Sequence, residues 1–142
     1  MKKTLIAATL IFICVSITNA QLTTETLVRI IRAEDSRGYD NVIEDLLRSS
    51  DPRVRKRAAL AAGRIGDVKS VAVLAALLND DKASDVRAMA AFALGEIESI
   101  NSADAILRVL NDLTTPAKVR ARVVEAAGKI AAANPKATES KS

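Results

Sequence analysis

Three stretches of this chain repeat one pattern, and that repetition limits its fold more than any other feature. DPRVRKRAALAAGRIGD (51–67), SDVRAMAAFALGEIES (84–99) and AKVRARVVEAAGKIAA (117–132) each open on a Val-Arg pair. The pairs are Val54-Arg55, Val86-Arg87 and Val119-Arg120. Nine residues after each Val stands a glycine (Gly63, Gly95, Gly128), and two residues later an isoleucine (Ile65, Ile97, Ile130). Copies separated by 32 and then 33 residues define a repeat architecture, in which one unit cannot bury its apolar face alone and must stack on the next.

The spacing within each copy predicts a helix. Val54, Ala58, Ala61, Ala62 and Ile65 fall at i, i+4, i+7, i+8 and i+11, one apolar face. Val86, Ala90, Ala93, Leu94 and Ile97 repeat it, as do Val119, Val123, Ala126, Ala127 and Ile130. Asp51-Pro52 suits a helix start. Glycine inside a helix costs roughly 1 kcal/mol relative to alanine, so three glycines in phase imply a packing reason. Each lies about opposite the apolar face, with Ala59 and Ala91 nearby, where small side chains let neighbouring first helices approach side by side.

After a turn at Gly66-Asp67 comes a second helix with Val71, Leu74, Leu77 and Leu78 inward, closed by Asn79-Asp80-Asp81. Ile106, Val109 and Leu110 hold the same phases in the next copy, closed by Asn111-Asp112. The third copy has a first helix only, so its Val123/Ile130 face is expected to lack a hairpin partner. That helix either caps the preceding repeat or leaves a face for a longer chain, a second copy or a bound protein. Upstream, Thr23 or Thr24 starts a helix through Leu27, Val28, Ile30 and Ile31, ended by Arg37-Gly38. A shorter helix carries Val42, Ile43, Leu46 and Leu47. Neither has the Val-Arg…Gly pattern, so residues 21–50 read as a cap or a degenerate repeat.

Residues 1–20 have the three parts of an export signal: Met1-Lys2-Lys3, an apolar run from Leu5 to Ile17, and Thr18-Asn19-Ala20 before an expected cut. The run is short of the roughly 20 apolar residues of a spanning helix. No membrane association is therefore expected once the signal is removed. Cys14 leaves with the signal, so stability has to come from packing. Removing Lys2 and Lys3 from 21 basic residues leaves 19 against 17 acidic, a net of +2. With Tyr39 and Phe92 as the only aromatics after residue 20, nucleic-acid binding is not expected. Repeats are read over 51–82, 83–115 and, as a half, 116–134, followed by a polar disordered tail at 135–142.

The pattern DPxVRxxAAxAxGxIGD with a Leu-rich partner helix resembles the HEAT repeat, in the short form of the phycobilisome-lyase HEAT-like family. Residues 51–134 carry the likeness, although copies two and three lack the Asp-Pro start. It implies an all-α, right-handed α-solenoid of antiparallel helix pairs that serves as a protein-binding scaffold. Similar exported repeats precede enzymes such as prolyl isomerases, so an accessory N-terminal region of a larger exported enzyme is the alternative. Whether the reading frame ends at Ser142 discriminates the two. A repeat-built enzyme of the bilin lyase or hydroxylase type is the third reading.

Chemistry is sparse. The chain has no histidine, which removes the commonest general base and most zinc or iron ligand sets. No catalytic residue, metal ligand or cofactor is expected. Asp80-Asp81 is read as solvated turn chemistry. The run Arg53-Val54-Arg55-Lys56-Arg57 places cations in a helix's first turn, against the dipole, at roughly 0.3–1 kcal/mol each, so compensating partners are expected. An inter-repeat ladder of Arg55, Arg87 and Arg120 with Asp51, Asp67 or Asp85 is one reading. A basic groove for an acidic protein segment, using Arg53, Arg57, Arg64, Arg87, Arg120 and Arg122, is the other. Self-association through the last helix is a further possibility.

Overall fold

The computed structural model describes residues 22–136; the expected export signal and residues 137–142 of the expected tail lie outside the described residues. Seven α-helices and no strand occur among them: α1 (Thr24–Asp35), α2 (Asn41–Leu47), α3 (Pro52–Ile65), α4 (Val71–Asp80), α5 (Ser84–Ile97), α6 (Ala103–Asn111) and α7 (Ala117–Ala133). Their ends follow local chemistry. The Thr23 hydroxyl accepts the Thr26 N–H at 3.2 Å, and the Asp40 carboxylate accepts those of Val42 and Ile43. Asp51 accepts the Arg53 N–H at 2.8 Å, with Pro52 at the position where a missing donor costs nothing. Gly66 stops α3 in the left-handed region, φ 78°, which suits glycine. Glu98 stops α5 at the same point with φ 56°, without that licence.

One detail of the turns was not foreseen. Short 3₁₀ turns at Val68–Ser70 and Ile100–Ser102 lead into α4 and α6. Ser70 and Ser102 are fully buried, and their hydroxyls donate to the carbonyls of Asp67 (2.7 Å) and Ser99 (2.6 Å). A buried hydroxyl needs such a partner.

The helices form two layers. α1, α3, α5 and α7 lie side by side, while α2 packs on α3, α4 on α5 and α6 on α7. Between the layers sit Ile43, Leu47, Leu74, Leu78, Val86, Leu94, Val119 and Val123, all fully buried. Truncating one of these leucines to alanine typically costs about 2–5 kcal/mol. The chain is thus an α-solenoid, as the periodicity requires.

The layering decides between the outcomes left open for the last helix in favour of the cap. Val123 is fully buried and Ile130 nearly so, because α7 lies under α6 and beside α5. Each first helix is roofed by the second helix of the preceding repeat, so the last one needs no hairpin partner of its own. At α7's end Asn134 donates to the carbonyls of Glu98 and Ile130, tying the chain back to α5.

The side-by-side layer explains the glycines. A Cβ on Gly63 would stand 2.8 Å from the Ala93 Cα, and one on Gly95 2.9 Å from the Ala126 Cα. Both glycines are where one helix backbone rests on the next. Gly128, the third in phase, would place its Cβ in open space.

Candidate functional site

In place of the ladder to Asp51, Asp67 or Asp85 that was one reading, all three recurring arginines donate to carbonyl oxygens at the end of the preceding second helix. Arg55 reaches the carbonyls of Ser49 (2.8 Å) and Ser50 (3.0 Å) just past α2. Arg87 donates to Leu78 near the end of α4 (2.9 Å), and Arg120 to Leu110 and Asp112 at the end of α6 (3.2 and 2.6 Å). Helical side chains lean toward their own N-terminus, and there the previous helix ends with unsatisfied carbonyls and the negative pole of its dipole. A cation that opposes one helix dipole therefore complements another. This compensation is built into the repeat.

Arg55 also grips Asp81 with two bonds, Nε to Oδ2 at 2.7 Å and the second nitrogen to Oδ1 at 2.9 Å. The Asp81 side chain is 3% exposed, which corrects the reading of Asp80-Asp81 as a solvated turn for Asp81; Asp80 is exposed. Burial pushes its carboxyl upward, but the bonds from Arg55 and from the Ala83 N–H prevail and hold it below the usual aspartate range.

The candidate partner-binding arginines take separate positions. Arg57 and Arg64 converge on Glu34 of α1, Arg57 with two bonds of 2.7 and 2.8 Å and Arg64 at 3.4 Å. Those arginine bonds, Arg57 first, hold the Glu34 carboxyl below its ordinary range against the pull of burial. Arg87 and Arg120 are committed to carbonyls, as above. Arg122 bonds Glu125 and lies 5.6 Å from the Phe92 ring centre, with Lys129 at 5.5 Å from the same ring. Arg53 bonds Asp51 and lines, with Lys56 and Lys82, a cleft of about 460 Å³ between the N-termini of α3 and α5. Asp85 faces that cleft and is bonded by both Lys56 and Lys118.

A larger cleft, about 540 Å³, opens between α2 and α4. Ala72, Val73, Ala76 and Leu77 of α4 form its apolar side; Arg48 and the Arg55–Asp81 pair border it. A third, about 230 Å³, is wholly apolar in character, with Ile100, Leu107 and Ile130 between α6 and α7. The sequence pattern held a signal for Arg55 and Val54, but none that singled out Glu34, Asp81 or Phe92, whose roles depend on distant helices.

No three Cys, Asp or Glu side chains among the described residues converge as a metal site, and no helix among them is long and apolar enough to cross a membrane. None of the curated proteins compared matches the chain. The family described as HEAT repeats matches residues 23–95, just over half of the chain, and that described as PBS lyase HEAT-like repeat matches residues 86–112. With its two layers of stacked helix pairs, the chain belongs to the HEAT-repeat family.

Proposed function

We propose that this protein is a non-catalytic scaffold that binds another protein outside the cytoplasm. The observation that carries the reading is the α2–α4 cleft: a half-exposed apolar wall on α4, bordered by charges that packing holds in place. Apolar area flanked by fixed polar groups suits a peptide or protein segment. HEAT repeats commonly serve as such surfaces, and the absence of histidine from the sequence favours binding over acid–base catalysis. Export rests on the three-part leader at residues 1–20.

Two measurements test this. The intact mass of protein produced with its leader should correspond to a chain beginning at Gln21; retention of Met1 through Ala20 would remove the export reading. Photocrosslinking from Ala76, in the exported fraction of the source cells, should trap a defined protein that the Val73→Lys variant fails to trap. Equal trapping by a correctly folded Val73→Lys chain would sink the cleft as the binding surface.

A further inference from the structure

α5 meets its two neighbours through one device, complete at α5–α7 and partial at α3–α5, and α7 repeats its seat with no helix against it among the described residues. On α5 a carboxylate stands ten residues before the glycine and another one residue after it: Asp85, Gly95, Glu96. α7 answers with Lys118, Ala126 and Lys129. Lys118 bonds Asp85, Lys129 bonds Glu96, and Ala126 rests on the Gly95 backbone. At the α3–α5 contact Gly63 receives Ala93 in the same way, while Lys56 bonds Asp85. The donor helix thus carries a charge, an alanine eight residues on, and a second charge eleven residues on, opposite in sign to the seat.

α7 repeats the seat with its sign reversed: Lys118, Gly128 and Lys129 have the spacing of Asp85, Gly95 and Glu96. Among the described residues nothing lies within 4 Å of the Cβ position of Gly128. Beside it Val124 is 57% exposed, and Ala121 and Ala132 are exposed as well. We propose that this outward face of α7 docks a helix of a partner protein bearing acidic, alanine and acidic residues at i, i+8 and i+11. α5 presents that pattern as Asp85, Ala93 and Glu96, which makes it the template for the partner. The two lysines already serve α5, but Asp85 shows that one side chain on this edge serves helices on both sides.

Charge and pattern argue against a second copy as the occupant. α7 placed in parallel against α7 sets Lys118 and Lys129 against themselves. The exposed face of α1 at the other end of the row mixes Arg29 and Arg32 with Glu25 and Asp35 and has no acidic, alanine and acidic set at i, i+8 and i+11. The proposal shares with the scaffold reading only that the chain binds protein, and it concerns a different face from the α2–α4 cleft.

The probe is a fluorescein-labelled, hydrocarbon-stapled helix of residues 83–98, stapled away from Ala93 and titrated by anisotropy against the full chain. Saturable binding that weakens with added salt is expected. Gly128→Ala fills the seat while leaving the fold intact, and should weaken binding about tenfold or more. A probe with Asp85→Lys and Glu96→Lys should fail to bind. Absence of binding by the original probe overturns the proposal, as does equal binding by Gly128→Ala or by the reversed probe. Val73→Lys in the α2–α4 cleft should leave affinity unchanged; loss there would place the probe in that cleft and also overturn the proposal, without touching the scaffold reading.

Discussion

Three glycines at one phase make a controlled experiment at the scale of single residues. In α3 and α5 an added methyl would meet helix backbone at 2.8 and 2.9 Å, which side-chain rotation cannot relieve. Gly63→Ala and Gly95→Ala should therefore lose about 1–3 kcal/mol, overpacking exceeding the gain in helix propensity. Gly128→Ala meets nothing and should gain up to about 1 kcal/mol. Urea midpoints of the three variants check this, and a common sign would contradict the packing account. The periodicity alone gave all three glycines the same purpose. It could not separate Gly128, because what a glycine faces depends on whether another helix follows it in space. The arginines show a similar limit. Their regular phase was legible and so was their need for compensation, yet the partners they share are backbone carbonyls, which no side-chain pattern reports, and the carboxylate that Arg55 adds is Asp81.

At the scale of elements, most of the architecture was legible because each helix carries its own evidence. Apolar faces recur in phase, Asp51-Pro52 and Thr23 mark starts, and Gly66 marks a stop. Whether the last helix caps the row or leaves its Val123/Ile130 face open was not legible at this scale, because the cover comes from the preceding repeat: α6 roofs α7 as α4 roofs α5. The first interface also differs from the later ones. α1 lacks the glycine seat and is joined to α3 through Glu34, which is 14% exposed and held by Arg57 and Arg64. Glu34→Gln removes the charge and leaves Arg57 without its carboxylate, at a cost of about 1.5–3 kcal/mol for hydrogen bonds to a charged group. Solenoid units contact only their neighbours, so the loss should stay local. Amide exchange should accelerate in α1 and α2 and remain unchanged in α5 through α7. Uniform acceleration along the chain would show the unit to be one cooperative block.

For the whole molecule, the two most deeply set ion-paired carboxylates among the described residues both anchor α3. Glu34 joins α1 to α3, and Asp81 joins the end of α4 to α3. Both are held below their ordinary range, Glu34 by the Arg57 bonds and Asp81 by Arg55 and the Ala83 amide overcoming burial. A depressed carboxylate contributes stability that is fully present above the unfolded-state value, about 4. That contribution is lost as pH falls through the lower folded-state value, because the unfolded chain then binds more protons. Stability should accordingly change little on this account between neutral pH and about pH 5, and decline below about pH 4. Asp81→Asn should cost roughly 2–3 kcal/mol at neutral pH, since Arg55 keeps its two carbonyl partners but loses a buried counter-charge. The same variant should show a shallower acid decline, having no carboxyl left to protonate there. Because the α5–α7 rungs, Lys118 on Asp85 and Lys129 on Glu96, are more exposed, they contribute less, and acid should loosen α1 through α4 first. Urea midpoints of the native chain and Asp81→Asn from pH 7 to pH 2.5, with amide exchange at the acid end, test all three statements. Parallel acid declines for the two proteins would mean that the Arg55–Asp81 clamp does not link protons to folding.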